Sequence, residues 1–249
     1  MRYLILSDIH ANLTALNAVL EAADLSTVDQ VWCLGDVIGY GPDPNECVER
    51  VREVATVCLV GNHDWAVLGK LDINDFNPEA RRAVLWTRDV LNDAAADYLG
   101  GLEGRMDNVH PDFTLAHASP RHPIWEYLLY PSTAAENFPH FTTRFCLVGH
   151  THKPVIFRQE QGQEEVMALQ PAINVPLPLA RAEGVRFILN PGSVGQPRDN
   201  DPRAAYTIYD DEKGTLTYFR VPYDIEATQR RMEAAGLPER LVARLEYGW

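Results

Sequence analysis

Four short apolar runs in this chain each end in a polar motif of a kind that binds metal ions. The motifs that follow the runs are Asp8 with His10, Asp36, Asn62 with His63, and His150 with His152. Near-continuous apolar runs are typical of strands covered on both faces, and the carboxyl ends of neighbouring parallel strands lie along one edge of a sheet. The sequence therefore predicts that these side chains meet at one rim of an α/β fold.

Strand-like and helical patterns alternate through the first half of the chain. Runs typical of strands are 2–7, 30–34, 55–60, 113–116, 145–148, 155–159, 186–189, 205–209 and 217–221. Helical patterns are 12–23, 45–54, 78–91, 94–99, 132–138 and two short helices within 224–247. The alternation predicts a parallel sheet, and the second half predicts antiparallel additions. We expect one domain over 1–249, with a helical insertion at about 65–111, a helical tail at about 224–249, and a loop or edge hairpin at 171–178.

Charge and cysteine usage narrow the classes of partner. The net charge of −13 disfavours bulk binding to nucleic acid or to an anionic membrane. A small phosphate ester can still bind, because metal ions reverse the local charge. The amino terminus does not match a signal peptide, no run is long enough for a membrane span, and the four cysteines show no CxxC pairing. We expect a cytoplasmic protein with buried thiols; a homo-oligomer is permitted but not required.

The residue types in the motifs favour a centre of two divalent metal ions. Asp8 and His10 point to the same side if the backbone stays extended, and His150 and His152 repeat that spacing. Asp36 offers two oxygens and can bridge two ions. Nitrogen and oxygen donors without thiolate suit Mn²⁺, Zn²⁺, Fe or Ni²⁺. Two such ions activate a bridging water for cleavage of phosphate esters. Each motif taken alone could instead be a turn or an exposed polar loop.

In combination and in this order, the motifs resemble those of the calcineurin-like metallophosphoesterases. The matching pattern is Asp-x-His, Gly-Asp, Gly-Asn-His-Asp, a distal His117 and Gly-His-x-His, and it extends from Asp8 to His152. The stretches SDIHANLTALNAVL and LGDVIGYGPDPNECV resemble a bacterial branch of small phosphodiesterase-like members. The resemblance implies a four-layer α/β/β/α sandwich with two mixed β-sheets flanked by helices.

The resemblance also implies a role for each motif residue. One metal would be held by Asp8, His10, Asp36 and His152, and the second by Asp36, Asn62, His117 and His150. His63 would not be a ligand; it would face the substrate, stabilise developing charge and protonate the leaving oxygen. Manganese is the first choice of metal, and the bridging hydroxide would attack phosphorus.

The motif that begins at Gly35 differs from the corresponding motif of two well-known groups in the family. Protein serine/threonine phosphatases and the related diadenosine tetraphosphatase carry Gly-Asp-x-x-Asp-Arg-Gly, whereas this chain has GDVIGYG from Gly35 to Gly41. The missing Asp and Arg leave open what orients His63. Their absence disfavours phosphoproteins and diadenosine tetraphosphate as substrates. The resemblance to the phosphodiesterase-like branch implies a phosphodiesterase acting on a small nucleotide-like substrate. A phosphomonoesterase or nucleotide phosphatase, a non-catalytic nucleotide sensor and a protein scaffold remain the alternatives.

Several residues are weaker candidates for contact with the substrate. Asn12 is either a substrate contact or, preferably, a helix N-cap, and Arg121 with His122 follows His117 closely. Residues 190–198 could cradle an anion through backbone N–H groups, with Arg198 on the phosphate, or could form a turn between strands. The aromatic residues Trp65, Trp125, Tyr127 and Tyr130 could stack on a nucleobase, although packing in the core or in a lid is the preferred interpretation.

Overall fold

Two six-stranded mixed β-sheets form the centre of the molecule. The computed structural model describes residues 1–179 and 184–249, and for Asn108 the backbone alone. The strands are β1 Arg2–Leu6, β2 Gln30–Cys33, β3 Val57–Cys58, β4 Arg105–His110, β5 Phe113–Ala116, β6 Phe145–Leu147, β7 Val155–Glu160, β8 Val166–Leu169, β9 Leu177–Pro178, β10 Val185–Asn190, β11 Ala204–Asp210 and β12 Thr215–Val221. The first sheet has the order β3-β2-β1-β11-β12-β9, and the second β4-β5-β6-β10-β7-β8.

Eight α-helices cover the outer faces of the sheets. They are α1 Leu13–Ala23, α2 Pro44–Val54, α3 Asn62–Val67, α4 Pro78–Val90, α5 Asp93–Gly100, α6 Pro131–Asn137, α7 Ile225–Ala234 and α8 Glu239–Tyr247 among the described residues. The side chain of Asn12 accepts a hydrogen bond from the Ala15 N–H at 3.1 Å, and so caps α1. Asn77 and Asn92 cap α4 and α5 in the same way.

The apolar residues form three clusters that define four layers. One cluster lies between the two sheets and contains Ile5, Trp32, Phe113 and Phe145. A second lies between the first sheet and the helices that surround it, and a third lies between α6 and the second sheet. Strands such as β1 and β5 are buried on both faces, as their continuous apolar sequences require. The four-layer α/β/β/α sandwich is therefore confirmed.

The parallel strands of both sheets end on the same side of the molecule. In the first sheet β1, β2 and β3 are parallel neighbours, and in the second β6 is parallel to both β5 and β10. The antiparallel additions expected in the second half are present as β7, β8, β11 and β12, whereas β6 lies parallel between β5 and β10. The rim that carries the polar motifs is thus shared by two sheets that pack face to face.

The predicted strands lie within two residues of the observed bounds, whereas α3, β4 and β8 were missed. Helix α3 begins directly at the Gly-Asn-His-Asp motif, where a turn is the simplest reading. Strand β4 lies inside the segment predicted as a helical insertion, and its sequence RMDNVH is largely polar. Strands β8 and β9 are short and lie at sheet edges, and β9 falls in the stretch 171–178. Edge strands carry a weaker apolar signal because only part of their surface is buried.

In residues 1–179 and 184–249, no helix combines the length and the hydrophobicity needed to cross a bilayer.

Candidate metal centre

The loops after β1 and β2 run side by side and turn their side chains into the rim. The Asp8 N–H donates to Gly35 O at 3.0 Å, and the His10 N–H donates to Asp36 O at 2.9 Å. Asp8, His10 and Asp36 have φ values of 52°, 50° and 52°, in the left-handed region. The backbone from Asp8 to His10 is therefore not extended, so the condition under which the two side chains would point to the same side is not met. A left-handed residue other than glycine costs about 1–2 kcal/mol, so this geometry is held by its surroundings.

Four donor groups converge at the first part of the site. His10 Nε2 lies 3.0 Å from His152 Nε2, and His152 Nε2 lies 3.4 Å from Asp8 Oδ1. Asp36 Oδ2 is 3.6 Å from His10 Nε2. One donor atom from each of Asp8, His10, Asp36 and His152 lies within 4.8 Å of the others. This is the first ligand set predicted from the motifs.

A second set of donors shares Asp36 with the first. Donor atoms of Asp36, His117 and His150 lie within 4.8 Å of one another. His117 Nε2 is 3.5 Å from Asp36 Oδ2 and 3.2 Å from Asn62 Oδ1, which places the amide oxygen of Asn62 in the same group. The seven side chains of the two sets are at most 3% exposed. The fold thus gathers all seven predicted ligand residues in one buried place.

Backbone carbonyls fix the rings of three histidines. The Nδ1 atoms of His10, His117 and His152 lie 3.2 Å from Ile38 O, 2.8 Å from Leu34 O and 2.6 Å from Gln196 O, respectively. Because a carbonyl oxygen only accepts, each Nδ1 carries a proton, and the neutral form of each ring then presents the lone pair of Nε2 to the centre. Metal-binding histidines are oriented in this way through the nitrogen that does not bind the metal.

Two atoms of the metal-donor side chains are buried and have no hydrogen-bond partner among the described residues. They are Asp36 Oδ2, which lies between the two donor sets, and His150 Nε2. An unpaired buried polar atom costs about 1–3 kcal/mol, so such atoms are uncommon without a function. Both atoms are of types that bind divalent metals such as Mn²⁺ or Zn²⁺. The donor chemistry and these unpaired atoms therefore fit a divalent metal centre.

The buried charges of the site perturb one another strongly. Burial and the nearby Asp36 carboxylate raise the pKa of Asp8 to about 7. Burial alone would lower the pKa of His117, but the Asp36 carboxylate outweighs it and raises that pKa to about 9. Two carboxylates in a volume closed to water repel each other. A divalent cation would offset that repulsion, so the electrostatics favour cation binding at this place.

His63 lies beside the donors in an aromatic surrounding. Its backbone N–H donates to Asp36 Oδ1 at 2.8 Å, and its ring centroid is 4.3 Å from that of Tyr40 and 5.1 Å from that of Phe76. Burial lowers the pKa of His63 to about 4. Tyr40 and Phe76 thus flank the ring in a chain that lacks the Asp-Arg pair of the protein phosphatases.

Asp64 supports the site without belonging to either donor set, and the motif analysis gave it no role. It accepts hydrogen bonds from the Gly61 N–H at 2.8 Å and from the Ile38 N–H at 3.0 Å. Burial and repulsion from Asp36 raise its pKa to about 7. It therefore links the loop after β2 to the start of α3, and its place in the Gly-Asn-His-Asp motif was the available signal.

Residues 190–198 connect strands and hold the loop after β1. The N–H groups of Val194 and Gly195 donate to Ser7 O at 2.9 Å and to Asp8 O at 3.0 Å, and Ser193 Oγ also donates to Asp8 O. These N–H groups are used inside the protein, so the segment is the connecting turn and not an anion cradle.

The three residues predicted to contact the substrate differ in whether their side chains are already bonded to other residues of the protein. Asn12 is buried, and its side chain bonds Ala15, Thr228 and Gly195. Arg121 pairs with Glu126 and Glu136, so its guanidinium is occupied. Arg198 hydrogen-bonds the side chain of Gln196, and in the described part of the chain no carboxylate lies within ion-pair distance of it. Arg198 is therefore the one of the three with a cation available to a phosphate.

The aromatic candidates also differ in their positions. Trp125 and Tyr127 contact the ring of His150, with centroid distances of 6.0 and 4.1 Å. Burial raises the pKa of Tyr127, Arg198 opposes the rise, and Tyr40 adds to it. Tyr130 is 66% exposed and Trp65 is half-buried. Trp125 and Tyr127 are thus the aromatic candidates whose rings contact a residue of the donor sets.

A groove of about 930 Å³ lies elsewhere, between α4 and the last two helices. It is lined by residues such as Glu79, Glu233 and Arg240, and none of the seven donors borders it. The convergence of buried ligand-type side chains, rather than the volume of this groove, identifies the functional site.

Comparisons with known proteins agree with this geometry. Residues 1–214 match the calcineurin-like phosphoesterase superfamily domain. A crystal structure of a metallophosphoesterase from Sphaerobacter thermophilus is 48% identical, covers 100% of this chain and 99% of its own, and superposes with a TM-score of 0.90. An uncharacterised protein of Methanocaldococcus jannaschii is 38% identical over 98% of this chain and 97% of its own length.

A more distant similarity covers only part of the chain. A symmetrical bis(5'-nucleosyl)-tetraphosphatase of Photorhabdus laumondii is 28% identical over 99 residues, which are 34% of this chain and 36% of that protein. The full-length similarities and the match over residues 1–214 place the chain in a single family. The chain belongs to the calcineurin-like phosphoesterase superfamily and is a phosphoester hydrolase.

Proposed function

We propose that this hydrolase uses two divalent metal ions, manganese first among Mn²⁺, Zn²⁺, Fe and Ni²⁺, to cleave phosphodiesters of small nucleotide-like molecules. The observation that carries the proposal is the position of Asp36. Its Oδ2 atom has no hydrogen-bond partner among the described residues and lies 3.6 Å from His10 Nε2 in one donor set and 3.5 Å from His117 Nε2 in the other. A carboxylate placed in this way can bind an ion on either side.

The metal ions would supply an activated water and neutralise the phosphate oxygens as charge develops. The protein's own part is to hold the donors in place. The Asp8 carboxylate accepts hydrogen bonds from Ser7 Oγ at 2.7 Å and from the His150 N–H at 3.0 Å, so its orientation is fixed before a substrate arrives. Preorganised groups of this kind avoid reorganisation during the reaction.

His63 is assigned to the leaving group. Its ring lies 5.0 Å from that of His10, and its Nδ1 atom has no hydrogen-bond partner in the described part of the chain. Burial lowers the pKa of His63 to about 4, but an anionic phosphate beside the ring favours its protonated form, which can then give a proton to the departing oxygen. Arg198 is assigned to a non-bridging phosphate oxygen, because its guanidinium has five donors and no carboxylate partner among the described residues.

Two observations support the substrate class. The loop after β2 lacks the Asp and Arg of the phosphoprotein and diadenosine tetraphosphate hydrolases, which disfavours those substrates. The partial similarity to bis(5'-nucleosyl)-tetraphosphatases supports nucleotides as the class of substrate.

The four buried free thiols fit the reducing cytoplasm in which we place the protein.

The test is metal-resolved hydrolysis of two model esters. Metal-stripped protein receives Mn²⁺, Ni²⁺, Zn²⁺ or Mg²⁺ and is assayed on bis(p-nitrophenyl) phosphate and on p-nitrophenyl phosphate, with bound metal counted by mass spectrometry. We expect two ions per chain and cleavage of the diester in Mn²⁺. Faster cleavage of the monoester would favour a phosphomonoesterase. Two bound ions without turnover would contradict catalysis and favour a sensor or scaffold.

Three variants accompany the assay. Asp36→Asn should bind fewer ions and lose activity, whereas His63→Ala should keep its ions and lose about 10²–10⁴-fold in kcat, the usual contribution of acid–base catalysis. His140→Ala changes an exposed histidine away from the donors and serves as the matched control. Undiminished turnover in His63→Ala would remove the assigned role.

A further inference from the structure

A line of aromatic rings crosses the metal centre from His63 to His150. The ring centroids of His63 and Phe76 are 5.1 Å apart, those of Phe76 and Trp125 are 5.1 Å apart, and those of Trp125 and His150 are 6.0 Å apart. Tyr127 lies on His150 at 4.1 Å with an interplanar angle of 34°. The rings join the side of the centre that carries the assigned proton donor to the side that carries a metal donor.

Two of these rings are exposed next to a site that is otherwise buried. Trp125 is 38% exposed and Tyr127 is 45% exposed, whereas His150 is 3% exposed. Phe76 lies behind Trp125 and is 9% exposed. Single exposed aromatic residues are common, but two of them on one edge of a polar centre form a surface that can receive a planar ligand.

The backbone that presents these rings is firmly held. Glu126, which lies between them in the sequence, accepts hydrogen bonds from Arg121, from Ser119 Oγ at 2.7 Å and from Asn137 Nδ2 at 2.7 Å. The next residue inward, Leu128, is 1% exposed. Residues 126 and 128 therefore point into the protein while 125 and 127 point out, so the two rings are fixed in place rather than lying on a mobile loop.

A cation lies near the same rings, close enough for its charge to oppose the rise in the pKa of Tyr127. The Arg198 guanidinium lies over the Tyr40 ring at 5.6 Å and, within residues 1–179 and 184–249, has no carboxylate partner. A ligand that reaches both Arg198 and the exposed rings must combine an anionic group with a planar aromatic one. A nucleoside phosphate has both groups at a short separation.

We propose that Trp125 and Tyr127 form a stacking subsite for the nucleobase of the substrate, with Phe76 as its backing. The proposal rests on the proposed function, because it names the part of the substrate that lies outside the metal centre. The subsite contributes affinity through the base, while the phosphate is held by Arg198 and the metal centre. Stacking is tolerant of base identity because every base has a flat π-face.

The test compares two ligands that differ only in the base. Adenosine 5'-monophosphate and ribose 5-phosphate share the sugar and the phosphate, so the ratio of their dissociation constants on Mn²⁺-loaded protein isolates the base. Both constants are measured by calorimetry, and as inhibition constants against bis(p-nitrophenyl) phosphate. We expect the wild type to bind the nucleotide at least about fivefold more tightly, the lower end of measured base–aromatic stacking.

Substitution of the rings should abolish this preference. Trp125→Leu and Tyr127→Leu should each move the ratio toward one, and bound metal is counted in both because Tyr127 touches His150. Tyr130→Leu is the matched control: Tyr130 is an exposed aromatic residue of the same segment that makes no ring contact among the described residues, and its ratio should equal that of the wild type.

The outcomes separate this proposal from the proposed function. A wild-type ratio of one, undetectable binding of both ligands, or an unchanged ratio in both ring variants would overturn the subsite even if the diester is hydrolysed. A preference for the nucleotide that disappears in the ring variants, in a protein that hydrolyses no ester, would support the subsite and contradict the assigned reaction.

Discussion

Backbone groups fix the positions of five of the seven donor side chains. The carbonyls of Leu34, Ile38 and Gln196 fix three imidazole rings. The peptide N–H of His63 fixes Asp36, and that of His150 fixes Asp8. Such supporting contacts matter nearly as much for metal affinity as the donors themselves, and their loss typically costs 10–100-fold.

Gly61→Ala tests this support at the residue that touches Asp36. A Cβ atom at position 61 would lie 2.6 Å from Asp36 Cγ and closer still to Oδ1, although φ at Gly61 is an ordinary −107°. The added methyl group must therefore displace the shared carboxylate. We expect metal affinity, measured by competition with a chelator, to fall by about 10–100-fold. Circular dichroism checks that the variant is folded.

Gly100→Ala is the control for that substitution. No atom lies within 4 Å of the Cβ position at Gly100, at the end of α5, so the change should leave metal affinity unaltered. An unchanged affinity in Gly61→Ala would mean that the carboxylate of Asp36 does not depend on its contact with the α3 amino terminus.

At the scale of single residues, the sequence predicted which side chains meet at the site but not how they are held. The spacing of Asp8, His10 and the Gly-His-x-His motif was sufficient to group the ligand types. The left-handed backbone at five of the seven donors was not predictable, because aspartate and histidine adopt φ near +50 to +60° only where tertiary contacts hold them there. The sequence likewise could not show that Nδ1 is the ring nitrogen held by a backbone carbonyl, because those carbonyls come from loops distant in the chain.

The elements that carry the donors were the most predictable part of the fold. Strands β1, β2, β5 and β6 are fully or nearly buried, so their apolar runs coincide with their limits. Helix α3 escaped prediction because it is six residues long and opens with polar donors. Its start is fixed by the Asp64 carboxylate on the Gly61 N–H, which is a contact that a turn could make equally well.

The segment that carries Trp125 and Tyr127 depends on a carboxylate, and this makes a prediction about pH. Burial would raise the pKa of Glu126, but hydrogen bonds from Arg121, Ser119 and Asn137 lower it to about 2. A carboxyl whose folded pKa lies below its unfolded value stabilises the fold above the unfolded pKa, and that stabilisation is lost as the pH falls through the folded value. The window for Glu126 is therefore about pH 4.5 to 2.

Glu126→Gln should destabilise the protein at pH 7 and hardly at all near pH 2. We expect a loss of about 1 kcal/mol in the free energy of unfolding at pH 7, reduced from the full shift because the ion pair is partly solvated. Urea unfolding at pH 7, 4 and 2.5, in chelator, measures the difference. Glu136→Gln removes the exposed partner of the same arginine and should cost far less at every pH. A difference that stays constant with pH would contradict a charge-dependent role.

On the scale of the whole molecule, the metal centre joins both halves of the sandwich. Asp8, His10, Asp36 and Asn62 follow strands of the first sheet, whereas His117, His150 and His152 follow strands of the second. The sequence indicated one rim but not that two sheets share it, because the pairing of β5 with β6 and β10 joins segments far apart in the chain. His10 and His152, whose Nε2 atoms are 3.0 Å apart, are separated by 142 positions.

Because the donors are adjacent only in the folded chain, metal should stabilise the fold as a whole. A ligand that binds the folded state alone, at a concentration 100 times its Kd, adds about 2.7 kcal/mol per site. For a chain of this size, each kcal/mol raises Tm by about 2–4 °C, so each ion bound should raise it by about 5–10 °C. Calorimetry of metal-stripped protein with and without Mn²⁺ measures the shift, and Asp36→Asn, which removes the shared oxygen, should show a smaller one. A cation held by the loops of both sheets resists the separation of those loops on unfolding. An equal Tm in Mn²⁺ and in chelator would therefore contradict joint binding by the two halves.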